Sequence, residues 1–63
     1  MYKYTVRFAD RSTPAFFNSL SEISDKFNFP GFDPADFADV PASEIDVDLH
    51  DEDGNVIAWV VPA

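Results

Sequence analysis

Nine carboxylates fall between Asp33 and Asp53, and no Lys or Arg stands among them. They are Asp33, Asp36, Asp39, Glu44, Asp46, Asp48, Asp51, Glu52 and Asp53. Carboxylates packed this closely can do three things: exchange protons in catalysis, hold a cation, or present negative charge to a basic surface. Proton exchange needs an environment that drives two neighbouring pKa values apart, usually a pocket. A chain of 63 residues seldom encloses one. The other catalytic residue types are equally thin. Ser12, Ser19, Ser21, Ser24 and Ser43 have a single imidazole, His50, as their only potential base, and Gly31 and Gly54 make no phosphate-binding loop. No catalytic residue is assigned, and the chain is expected not to be an enzyme.

Cation binding fares little better. Asp46, Asp48, Asp51, Asp53 and Asn55 suggest calcium, but a calcium loop built on Gly54 would begin at Leu49 and end at Val60, so both end ligands are missing. Aspartates beside a glycine are also ordinary turn chemistry. His50 without a cysteine or a second histidine makes a poor transition-metal site. No metal and no cofactor is expected.

Charge presentation remains. Glu44, Asp46 and Asp48 alternate along one strand face, about 6.6 Å apart at a rise of about 3.3 Å per residue. Asp51, Glu52 and Asp53 carry the row around a turn. Asp33, Asp36 and Asp39 share one side of a short helical segment. A DNA strand carries a charge about every 3.4 Å, so the acidic strand alone is about half as dense and the turn and helix must supply the rest. The surface expected is an imitation of a phosphate backbone, docking on a basic protein surface of the kind a nucleic-acid-binding protein offers. The plainer reading is an edge strand kept charged to prevent sheet-to-sheet aggregation.

A second surface competes with it. Phe27, Phe29, Phe32 and Phe37 surround Pro30-Gly31. Exposed, Phe29 and Phe32 would serve a protein-interaction or assembly module, as a homodimer for example. Folded inward, the same rings would close the end of a small core.

The elements that must position these residues follow from periodicity. Tyr2, Tyr4, Val6 and Phe8 alternate with Lys3, Thr5 and Arg7, a half-buried strand. Ser12-Thr13-Pro14 reads as a helix start, and Phe16, Phe17, Leu20, Ile23 and Phe27 recur at helical spacing. Asp33-Pro34 begins a single helical turn. Ile45, Val47 and Leu49 alternate with acids, Asp51 to Asn55 turns, and Val56 to Val61 is an apolar strand. A three-residue loop, Glu52-Asp53-Gly54 with Gly54 left-handed, pairs Val47 with Trp59, Leu49 with Ile57 and Ile45 with Val61. A two-residue loop pairs Val47 with Val60 and Leu49 with Ala58. The first buries larger residues together and is preferred. The last strand, apolar on both faces, belongs in the centre. The expected fold is α+β: a three-stranded antiparallel sheet in β-α-β-β order, one main helix on one face, and one domain over residues 1–63.

Composition bounds the rest. The net charge is −8, with +1 up to Lys26 and −9 beyond it. Direct nucleic-acid binding is not expected, because it needs a basic footprint. Nor is a membrane: no apolar run approaches the roughly 20 residues of a span, and no leader is visible. Ten aromatics (seven Phe, two Tyr, one Trp) and no cysteine suit a packed core in a reducing cytoplasm. In size, charge and lack of catalytic residues the chain resembles the small acidic inhibitors of phages and mobile elements, among them anti-restriction and anti-CRISPR proteins. That resemblance, one of composition, implies a DNA-mimicking inhibitor acting in the host cytoplasm.

Overall fold

The computed structural model describes residues 1–63 and contains four strands, not three. β1 (Tyr4–Phe8), β2 (Ala15–Phe17), β3 (Val47–His50) and β4 (Val56–Pro62) form one antiparallel sheet in the order β2-β1-β4-β3. The single α-helix, α1 (Leu20–Lys26), lies against one face. The class is α+β, with β4 in the interior beside β1 and β3 as its pattern implies.

The extra strand comes from residues that helical spacing had claimed. Phe8 to Arg11 turns the chain, with the Arg11 amide donating to the Phe8 carbonyl at 3.1 Å and Arg11 itself left-handed at φ 64°. The Asp10 carboxylate accepts the Ser12 amide at 2.9 Å. The chain therefore reverses and pairs with β1, Val6 with Ala15, Thr5 with Phe16 and Tyr4 with Phe17. Ala15 and Phe17 are half-buried while Phe16 is exposed, a period of two. The helix starts later, at Ser19, whose hydroxyl accepts the Glu22 amide at 3.2 Å. Glu22 reaches back to accept the Asn18 amide at 3.0 Å. Ser19-Leu20-Ser21-Glu22 is thus a variant of the capping box. A seven-residue helix has no stability of its own, and it persists because Leu20 and Ile23 enter the core.

That core is Val6, Leu20, Ile23, Ile45, Leu49, Ala58 and Val60. Fully burying a side chain such as Ile23 or Leu49 contributes about 1.5–3 kcal/mol. One end is closed by rings: Phe27 meets Phe8 and Phe17 edge-on at 5.7 and 5.9 Å, and Phe29 at 5.4 Å. Phe32 stacks on Phe37 at 6.0 Å.

The hairpin also departs from expectation. Its loop is the three-residue one: the Asp51 amide donates to the Asn55 carbonyl at 3.0 Å, the Gly54 amide to the Asp51 carbonyl at 3.1 Å, and Gly54 has φ 85°. His50 accordingly pairs with Val56. A bulge at Ile57 then shifts the register by one, so that Leu49 faces Ala58 and Val47 faces Val60. The expected pairs Val47 with Trp59, Leu49 with Ile57 and Ile45 with Val61 do not form. The reason lies in the layer above. Small Ala58 and Val60 face the core with no exposure, in one close-packed cluster with Val6, Ile45 and Leu49. Trp59 in their place would overfill that cluster.

Trp59, with Ile57 and Val61, consequently lies on the opposite face. No helix covers that side of β4, so the strand is apolar on both faces while only one is packed by its own chain.

Candidate functional site

Two surfaces could meet a partner: the acidic side built around β3, and the uncovered face of the sheet.

Of the nine acids from Asp33 to Asp53, all are exposed except Asp51, which is half-buried. Their roles are unequal. One Asp51 carboxylate oxygen accepts the amides of Asp53 and Asn55, each at 2.9 Å. The Asn55 amide foremost holds this carboxyl below its usual range, with Asp53 and the Asn55 side chain assisting and partial burial opposing. Asp51 is therefore a fastener of the turn. Asp33 caps the short 3-10 helix Pro34–Phe37, accepting the Ala35 amide at 3.0 Å. At three residues per turn Asp33 and Asp36 stand one above the other. Glu44 ends a second 3-10 segment, Ala42–Glu44, and Asp46 follows it into β3. Asp48 extends from β3 itself, while Glu52 and Asp53 occupy the hairpin tip.

Residues 30–37 and β3 meet along one edge. A cleft of about 230 Å³ is lined there by Pro30, Gly31, Phe32, Phe37, Val47, Asp48 and His50. The edge therefore brings Asp48 beside the segment that carries Asp33 and Asp36. His50, half-buried, lines the same cleft. Phe29 and Phe32, the candidate aromatic contacts, are half-buried and packed against the core.

The exposed rings lie elsewhere. Tyr2 and Phe16 are 55% and 51% exposed and touch each other with centroids 5.8 Å apart. Phe16 is the cross-strand neighbour of Thr5, and Thr5 of Val61. In the next row Arg7, Trp59 and Asp48 lie side by side on β1, β4 and β3. Thr5 is only 4% exposed beneath its neighbours, while Arg7 and Asp48 are exposed. The uncovered face thus has an apolar middle strand, a basic strand on one side and an acidic strand on the other. Arg7 and Asp48 are separated by Trp59, about 10 Å between Cα atoms at two strand spacings. Hence the base does not neutralise the acid by direct contact. Sequence reading missed this surface because it placed Phe16 in a helix and Trp59 in the core; the alternation of Lys3, Thr5 and Arg7 was the signal that an exposed face existed.

No protein-family model, curated protein or solved structure matches this chain. No helix is long and apolar enough to cross a membrane.

Proposed function

We propose that this chain is a non-enzymatic binding protein whose acidic edge docks on a basic protein surface, one that a nucleic acid otherwise occupies. One observation carries the reading. Asp36, Asp39, Glu44, Asp46, Asp48, Glu52 and Asp53 are all exposed; Asp36 stands on the first 3-10 segment, Asp39 in the turn beyond its end rather than on it, Glu44 on the second, Asp46 just before β3 and Asp48 within it, and Glu52 and Asp53 at the hairpin tip, with no intervening Lys or Arg. Such a field accelerates encounter with a basic partner and repels a nucleic acid itself. The partner in this reading is a DNA- or RNA-handling protein, and the effect is inhibition by occupancy, as in the phage-encoded anti-restriction and anti-CRISPR class, which places the action in the host cytoplasm.

The test is capture on the immobilised chain, with a variant carrying Asp46→Asn, Asp48→Asn, Glu52→Gln and Asp53→Asn. Asp51 is kept because it fastens the turn. Nucleic-acid-binding proteins should be retained, released by raised salt, displaced by DNA and missed by the variant. Retention that survives both salt and the substitutions would sink the reading.

A second reading is favoured by the exposed Tyr2–Phe16 pair and the uncovered sheet face: a small interaction or assembly module. It predicts retention that tolerates salt and is abolished by Phe16→Asp.

A further inference from the structure

We propose that the uncovered sheet face binds a second copy of this chain, stacked face to face about a twofold axis running along β4. The proposal rests on the assembly-module reading and names the occupant of its surface.

The charge pattern carries it. On this face β1 presents Lys3, Thr5 and Arg7, β4 presents Trp59 and Val61, and the β3 side presents Asp46 and Asp48. Arg7, Trp59 and Asp48 occupy one cross-strand row. A twofold axis parallel to the strands and lying over β4, midway between the two copies, preserves rows and exchanges sides. It therefore sets Arg7 of one copy over Asp48 of the other, Asp48 over Arg7, and Trp59 over Trp59. In the adjoining row Val61 meets Val61 and Thr5 meets the Asp46 side. An isologous interface requires this kind of self-complementarity, in which residue i meets j and j meets i. A basic partner would find its charges opposed by Lys3 and Arg7, and an acidic one by Asp46 and Asp48. The surface fits its own copy better than either.

The stacked strands are β1, β4 and β3 of each copy, because an axis over β4 carries β2 beyond β3 of the other. Sheets packed in this way bury alternate residues of both inner faces, which would cover Trp59, Val61 and the apolar sides of Thr5 and Arg7. Asp46 and Asp48 would then be held by the second copy.

Sedimentation equilibrium at physiological ionic strength tests the arrangement. The wild type should sediment as a dimer at micromolar concentration. Arg7→Glu and Asp48→Lys should each weaken the dimer at least tenfold, because each sets like charges opposite one another twice. Lys26→Glu, the same charge change at the exposed end of α1 on the other side of the sheet, should leave it intact. Mixing Arg7→Glu with Asp48→Lys should restore a heterodimer, since one inverted and one native pair then form. A wild type that stays monomeric, single variants that still dimerise, or a mixture that stays monomeric would each overturn the twofold stacking. If the chain is monomeric yet Phe16→Asp abolishes retention of a different protein, the assembly-module reading survives and only the second copy is excluded.

Discussion

Asp51 and Asn55 are joined twice across the hairpin: the Asp51 amide donates to the Asn55 carbonyl at 3.0 Å, and the Asn55 amide donates to the Asp51 carboxylate at 2.9 Å. The carboxyl is held below its ordinary value by the Asn55 amide foremost, so its folded pKa lies below its unfolded one. A group of this kind contributes stability that is present above the unfolded value, about 3.9 for Asp, and is lost as pH falls through the folded value. Asp10, lowered by the Ser12 side chain and then the Ser12 amide, behaves the same way. Asp51→Ala should therefore lower the urea midpoint at neutral pH, and the gap from wild type should close as the solution is acidified below about pH 4. A gap unchanged through the acid range would contradict the role given to this carboxylate.

The helix start makes a second prediction. Ser19→Ala removes the cap and should cost about 1 kcal/mol. Thr13→Ala, at an exposed loop position, should stay within about 0.5 kcal/mol. Chemical denaturation distinguishes them, and the reverse order would mean the helix begins at Pro14 after all.

The bulge predicts an asymmetry along β4. Ala58 is buried without exposure in the core, so Ala58→Leu should destabilise by about 1–3 kcal/mol through overpacking. Ile57 next to it is 36% exposed at the bulge, and Ile57→Thr should change stability by no more than about 0.5 kcal/mol. Equal sensitivity at the two positions would place the register elsewhere.

Arg11, Gly31 and Gly54 carry positive φ, and the first and last of them should respond in opposite directions. Around Gly54 nothing lies within 4 Å of an added Cβ, and φ is 85°, so Gly54→Ala should lose about 1 kcal/mol from backbone conformation alone. Arg11 already bears that strain at φ 64°, and Arg11→Gly should gain about 0.5 kcal/mol. Thermal unfolding of the two variants checks both signs.

The sequence by itself determined whatever local chemistry decides. The alternation of Tyr4 to Phe8, the left-handed Gly54 in a three-residue loop, the cap at Asp33 and the central place of an apolar last strand all follow from one or two neighbouring residues. Ser19-Leu20-Ser21-Glu22 was equally local, but Ser12-Thr13-Pro14 offered a competing start, and Phe17, Leu20, Ile23 and Phe27 satisfied the helical period whether or not Phe16 joined them. Tertiary structure decided between these. Pairing with β1 gives Ala15–Phe17 backbone partners that a helix starting at Pro14 would deny to the edge of β1. The register of β4 was likewise beyond local reading, because it depends on which side chains fit in the core cluster, and Ala58 and Val60 fit where Trp59 does not. That choice turned Trp59 outward between Arg7 and Asp48. The acidic edge could be listed from composition, but the uncovered face exists only because packing assigns one side of β4 to the core and leaves the other without a layer of its own.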